Sequence, residues 1–294
     1  MCAVESPLLV SKSFTPGVAA ENRVSKGIAA GFRAVLDSSR SPKEYVERGP
    51  STAFEYARLV GGLQRLKILD IGVGRGESSV FLAERGHLVY ALDPSPDFCT
   101  LIADAAAKFG LAVVPVQGVA EDIEHIGENK FDVAIFNCSL HHCDRPQTAL
   151  RQAFSVLKEG GSLILCSEPT LRPWISKGQW HRLLETEPEK MGHYGGNEHI
   201  YYNWQYKRML KAAGFAEIKR IAPSEMMDAP AALEKCLARR IKGKRAYSEL
   251  QILKRAVYYF IRARLVRAPW SFHALAAFSL VPVHFSSVKP RLDP

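Results

Sequence analysis

The sequence has no CxxC pair, no internal repeat period and no framework spacing among its six cysteines. Cys2, Cys99, Cys138, Cys143, Cys166 and Cys236 are scattered, which argues against a disulfide scaffold and points to a reducing compartment. The opening stretch "MCAVESPLLVSKS" carries Glu5 early and lacks both a basic head and a sustained apolar core, so no secretory leader is read and a cytoplasmic protein is expected. The basic excess is concentrated in one segment. Lys235 to Arg267 holds eleven of the 39 Lys and Arg residues but one of the 30 acids, Glu249, so the formal charge of +9 is local and the remainder is near neutral. With 47% apolar and 23% charged residues over 294 positions, the composition is that of an ordinary globular protein, long enough for one large α/β domain with additions.

What is present is a strand pattern. "LKILDIG", "HLVYALD", "LAVVPVQ", "KFDVAIFN" and "GSLILCSE" are short apolar, β-branched runs bounded by turn or polar residues, and they read as buried parallel strands. Between them "GESSVFLAERG", "SPDFCTLIADAAAKFG" and "RPQTALRQAFSVLKEGG" repeat apolar residues at helical spacing, each ending in glycine. This alternation predicts a doubly wound sheet. Upstream, residues 1–40 read as a mobile arm leading into a short helix, and "SPKEYVERGPSTAFEYARLVGG" as two short helices. Downstream come a polar, aromatic loop region from Trp174, a helix "WQYKRMLKAAG", a sixth strand "FAEIKRIAP", a basic helical stretch and a last strand "SLVPVHFSSV".

The first strand ends in Asp70 and breaks into Gly72, Gly74 and Gly76 before a helix. Glycines there let the backbone approach a ligand, and a helix N-terminus supplies unpaired N–H groups. The spacing is GxGxG and not the GxGxxG that seats a pyrophosphate, which speaks against a dehydrogenase. A cofactor without phosphates but with a cationic amino acid moiety, S-adenosylmethionine, fits an acid at that strand end. Asp93 closes the second strand about 20 residues on, where a carboxylate can accept both ribose hydroxyls.

From about Leu66 to Pro223 the chain resembles the class I S-adenosylmethionine-dependent methyltransferases, in the methyltransferase-domain type 11/12 group that acts on small molecules, lipids and sugars. The motifs that carry this are "ILDIGVGRG", "ALDPSP", "VQGVAEDI", "FDVAIFNCSLHH" and "VLKEGGSLILCSEP", in family order. The resemblance implies an α/β fold with a doubly wound, mostly parallel seven-stranded Rossmann-like sheet and a helical insertion before the last strand. It also implies that Gly72, Gly74 and Gly76 line the methionine and ribose part of the cofactor, with Asp70 near its amino group. Asp93 would hold the ribose hydroxyls with Pro94 beside the adenine, Ala120 and Glu121 would meet the adenine edge, and Asn137 the methionine end. Val119 departs from the aspartate that many relatives carry at its position, so Glu121 or the backbone is left to recognise the adenine amino group.

Methyl transfer is an in-line displacement, so the protein has mainly to align the acceptor and, for a hydroxyl, to remove a proton. His141 and His142 sit just past the fourth strand, at the end of the sheet where such folds bind ligands, and are candidates for that base; packing of the pocket is the alternative. Cys138, His141, His142 and Cys143 lack metal-ligand spacing, so no metal is expected. Thiol chemistry on arsenic is a further reading of the cysteines, as is service as small core residues. "EKMGHYGGNEHIYYNWQY" crowds His193, Tyr194, Asn197 and His199 around a Gly-Gly hinge, and is read as a substrate loop or lid for a polar acceptor.

Within Ala246 to Arg267, Leu250, Leu253, Val257, Ile261 and Leu265 recur at helical spacing among basic residues, the pattern of an amphipathic basic helix. It reads either as a lid with solvated charges or as a peripheral membrane element over 235–271. Nucleic acid is disfavoured, because no recognisable module interleaves aromatics with the charges. The regions expected are an arm at 1–40, a methyltransferase core at 41–223, a basic helical insertion at 224–271 and the last strand and tail at 272–294. The activity expected is O-methylation of a hydroxyl on a polar small molecule, sugar or lipid-linked glycan. N- or C-methylation of a lipid or other small molecule, and a non-catalytic cofactor-binding partner subunit, are the alternatives.

Overall fold

The computed structural model describes residues 8–11, 14–47, 60, 65–171, 173–186, 199–221 and 283–291. The five apolar runs form strands β2 (Lys67–Ile71), β3 (Leu88–Asp93), β4 (Val113–Gln117), β5 (Phe131–Asn137) and β6 (Leu157–Glu168), as their patterning predicts. With β1 (Leu8–Leu9), β7 (Ala216–Arg220) and β8 (Val283–Val288) they make one eight-stranded sheet in the order β1-β4-β3-β2-β5-β6-β8-β7. All pairings from β1 to β6 are parallel, and β8 runs antiparallel between β6 and β7. Strand order reverses at β2, which pairs β3 on one side and β5 on the other, so a crevice opens above its carboxyl end.

Helices cover both faces. α1 (Pro16–Ser38), α2 (Pro42–Glu47), α3 (Glu77–Glu84) and α4 (Pro96–Phe109) lie on one face, where Leu36, Tyr45, Leu82 and Leu101 are buried against Ile68 and Ile135. On the other face a 3-10 helix (Ala120–Ile126), α5 (Pro146–Val156) and α7 (Asn203–Ala212) bury Ile123, Leu150 and Tyr206 against Leu69 and Phe136. The remaining helix, α6 (Lys177–Thr186), follows β6. Local chemistry sets the ends of α4: Pro96 follows Ser95, whose hydroxyl accepts the Phe98 N–H, and Gly110 closes the helix in the left-handed conformation at φ 64°.

Four expectations change. The stretch expected to be a mobile arm instead contributes β1, parallel to Val116 and Gln117, and the 23-residue α1. Thr15 and Pro16 start that helix, and Val18, Ala29 and Leu36 give it a buried face. The sheet therefore has an eighth, two-residue edge strand beyond the seven expected. The helix expected to run to Gly160 stops at Val156, because the buried Leu157 turns to ψ 142° and pairs with Phe131. The loop region after β6 contains α6, a short helix in whose sequence Trp180, Leu183 and Leu184 fall at helical spacing among polar residues. The insertion at 224–271 and the second helix expected before β2 lie outside the described residues, Val60 excepted. Among the described residues no helix is long and apolar enough to cross a membrane.

Candidate active site

A cavity of about 600 Å³ lies over the carboxyl ends of β2, β3 and β5 and is roofed by α1. Of the residues expected to hold a cofactor, Gly72, Gly74, Asp93, Pro94, Ala120, Glu121 and Asn137 line it, and Asp70 and Gly76 do not. Its size falls within the range of about 300–1,000 Å³ typical of small-molecule pockets.

The three glycines of the turn have different reasons to be there. All have positive φ: 70° at Gly72, 53° at Gly74 and 80° at Gly76. A Cβ on Gly72 would stand 2.5 Å from Ser139 Cβ, and one on Gly76 would stand 2.5 Å from Ile102 Cγ1, so both are fixed by the protein's own packing. A Cβ on Gly74 would meet nothing within 4 Å, and this residue faces open space. Beneath the turn, buried Asp70 accepts hydrogen bonds from the hydroxyls of Ser78 and Ser79 at 2.7 Å each, while its Oδ1 has no partner among the described residues. Burial pushes its carboxyl up to about 6, against the pull of the two hydroxyls. The Tyr45 hydroxyl donates to Arg75 O at 2.5 Å, tying α2 to the turn.

Asp93 braces the turn from the next strand. Its Oδ2 accepts the Gly74 N–H at 2.8 Å and its Oδ1 the Ser95 N–H at 2.9 Å. Each oxygen keeps a second lone pair for another donor. Burial raises this carboxyl to about 7, outweighing the two backbone donors. Glu121 turns one carboxylate oxygen to the Arg145 N–H at 2.9 Å, and burial raises its pKa. Val119, where a side-chain acid was missing, donates its N–H to Ser11 Oγ at 2.9 Å, so the segment after β1 holds this corner.

At the end of β5 the backbone is strained. Cys138 and, on the neighbouring β6, Ser167 both line the cavity in left-handed conformations, at φ 53° and 57°. Asn137 presents an Oδ1 without a hydrogen-bond partner among the described residues. The following loop is clamped by Glu168, which ends β6 and is buried. Its Oε1 accepts the N–H groups of Ser139 and Leu140 at 3.0 Å each, and its Oε2 accepts that of His141 at 3.3 Å and lies 2.9 Å from His141 Nδ1.

The two candidate histidines thereby separate in position. His141 is buried behind the cavity wall; His142 lines the cavity, its Nδ1 3.2 Å from Glu21 Oε1 of α1. The rings lie 4.1 Å apart, tilted by 42°. Burial raises the Glu21 carboxyl, and the neighbouring His142 pulls it back. Of the expected acceptor residues, His199 is described. Its N–H donates to His141 O at 2.9 Å, its Nε2 is buried without a partner among the described residues, and burial lowers its pKa. His193, Tyr194 and Asn197 lie outside the described residues. Among the described residues no group of His, Cys, Asp and Glu is arranged to hold a metal.

Glu21 and Glu168 were missed by motif reading. A signal for Glu21 exists, since Val18, Glu21, Ser25 and Ile28 follow one another at helical spacing and all line the cavity. Glu168 offered only a strand-end acid.

The sheet order, the glycine turn braced by an acid from the adjacent strand, and a cavity above the switch point define a methyltransferase domain of the class I, S-adenosylmethionine-dependent type. Residues 69–165, about a third of the chain, match the methyltransferase domain family. The tRNA 5-carboxymethoxyuridine methyltransferase of Escherichia coli (strain K12) is 32% identical over 106 residues, 35% of this chain and 41% of that protein. The ubiquinone biosynthesis O-methyltransferase of Azorhizobium caulinodans is 33% identical over 109 residues, 37% of this chain and 43% of that one. The matches thus span less than half the length of these relatives. Haemonchus contortus phosphoethanolamine N-methyltransferase 2, solved in complex with S-adenosyl-L-methionine, shares the fold with a TM-score of 0.57 at 17% identity, over 95% of this chain and 61% of that one.

Proposed function

We propose that this protein O-methylates a hydroxyl of a polar small molecule, sugar or lipid-linked glycan, using S-adenosylmethionine. The observation that carries the reading is His142, which faces the cavity with Glu21 behind its Nδ1 at 3.2 Å. The cavity fits the cofactor: Gly74 faces open space, Asn137 offers an unpartnered carbonyl oxygen, and Asp93 has lone pairs to spare. Asp93 would accept the ribose hydroxyls, Asn137 and the Gly72–Gly74 backbone would receive the methionine end, and Pro94, Ala120 and Glu121 would flank the adenine. Asp70 and Gly76 would act from beneath, by shaping the turn. When bound, the cofactor supplies a methyl group on a positively charged sulfur.

A hydroxyl attacking that carbon must lose its proton. With its proton on Nδ1, which faces Glu21 Oε1 at 3.2 Å, His142 has Nε2 as the basic nitrogen that would take the acceptor's proton. Glu21, held in a buried setting that disfavours a lone negative charge, gains most when the imidazole beside it becomes cationic. His141 would serve by position: bound to Glu168, it stiffens the loop that presents His142. His199 is tied to that same loop by its N–H and would sit on the acceptor side with His193, Tyr194 and Asn197.

The test uses methyl-labelled S-adenosylmethionine with fractionated host extract. Label in the polar small-molecule or lipid fraction, in an alkali-stable ether, supports the reading; label in an alkali-labile ester would replace it with methylation of a carboxylate, which has no proton for His142 to take. Label confined to amine nitrogen would replace it with N-methylation, and no turnover with any fraction would leave a cofactor-binding partner subunit.

A further inference from the structure

Helix α7 buries Asn203, Tyr206 and Leu210 and turns Trp204, Lys207, Arg208 and Lys211 outward, at positions i, i+3, i+4 and i+7 of one face. Trp204 is 58% exposed. Trp174, also 58% exposed, joins the same surface, because the Tyr202 ring stacks on Trp204 at 6.1 Å while the Tyr202 hydroxyl donates to Ile175 O at 2.8 Å. Lys177 lies close by, its Nζ 5.1 Å over the Tyr201 ring. Neither 173–182 nor 199–213 contains an Asp or Glu. A helix face exposed only to water ordinarily mixes signs at i and i+4; this one sets three cations beside two solvent-facing indoles.

We propose that this surface docks the protein on an anionic lipid bilayer. Indoles favour the headgroup level, where one end of the ring is apolar and the other wet, and clustered Lys and Arg are attracted by anionic lipids. The basic stretch Lys235–Arg267, outside the described residues, continues the same sign in the sequence. Nucleic acid is the weaker fit, since bases stack on open aromatic faces, and Tyr202 and Trp204 are already stacked on each other. The location matches a use. α7 follows directly on His199 and Tyr201, and His199 is bonded to His141, so docking here would bring the acceptor side of the cavity toward the lipid.

The test is co-sedimentation of the full chain with vesicles of phosphatidylcholine alone or with phosphatidylserine added, at low and high salt. The protein should pellet with the phosphatidylserine vesicles, release at high salt, and show a blue-shifted, bromolipid-quenched tryptophan emission that Trp204→Ser diminishes. The triple variant Lys207→Glu/Arg208→Glu/Lys211→Glu should bind at least about tenfold more weakly. Its melting temperature and S-adenosylhomocysteine affinity should be unchanged, which separates this surface from the cofactor site. Absence of vesicle binding, binding that survives the triple substitution, or salt-sensitive binding to RNA without vesicle binding would each overturn the proposal.

Discussion

His142 Nδ1 and Glu21 Oε1 stand 3.2 Å apart, joining the loop after β5 to the helix that roofs the cavity. Sequence distance hides this pair, and in the proposed mechanism it makes α1 part of the chemistry and not only a cover. Glu21→Gln should lower kcat about 10- to 100-fold with little change in cofactor affinity. It should also shift the acidic limb of the pH–rate profile, because the imidazolium loses its counter-charge. Steady-state kinetics on the labelled acceptor, with calorimetry for the cofactor, checks this; equal profiles for wild type and variant would remove Glu21 from the mechanism.

Asp93 predicts a proton coupled to binding. Its buried carboxyl titrates at about 7 without ligand, and its ionised form is the better acceptor for ribose hydroxyls. Ligand binding should therefore pull its pKa down and release a proton, and affinity should fall as pH drops below about 7. Calorimetry of S-adenosylhomocysteine binding in two buffers of different ionisation heat reads the proton directly. The same shift has a stability sign: the folded state keeps a proton that the unfolded chain loses near 3.8, so between these values rising pH weakens the ligand-free fold.

Gly72 and Gly74 should part company on substitution to alanine. At Gly72 the new Cβ meets Ser139 in an unfavourable backbone region, and overpacking of this kind costs roughly 1–3 kcal/mol beyond the conformational penalty. At Gly74 only the penalty of about 1–2 kcal/mol applies, and the methyl points into open space. Thermal melting should rank Gly72→Ala below Gly74→Ala, while cofactor binding should be lost in both. A larger melting drop for Gly74→Ala would contradict the packing argument.

Glu168→Gln should unsettle the loop after β5. The carboxylate receives three backbone N–H groups and faces His141 Nδ1, and an amide would turn its own NH2 toward some of them. Hydrogen bonds to a charged acceptor contribute about 1.5–3 kcal/mol each, so a loss of that size in urea unfolding is expected, with His141→Ala adding less than its single-variant cost. Strict additivity of the two would show that they do not act through each other.

The strands β2 to β6 were legible because each is a short apolar run bounded by turn residues, and buried parallel strands have no other pattern to show. Gly72, Gly74, Asp93 and Asn137 were legible because the turn and the strand ends fix their places locally. The end of α5 was not: "VLKEGG" carries a helix-stop signal at Gly160, but pairing of Leu157 with Phe131 takes the chain out of the helix four residues early. Nor was the length of α1, expected only as a short helix, whose 23 residues pack against α4.

Local sequence thus determined the strands, the glycine turn and the acids at their ends, because backbone conformation and burial there depend on neighbours in the chain. Only the tertiary structure decided which histidine faces the cavity. His141 and His142 are adjacent and chemically identical; Glu168, 27 residues from His141, draws one behind the wall, and Glu21 meets the other in the cavity. Such choices depend on contacts between distant segments, and those exist only once the sheet has closed over its helices.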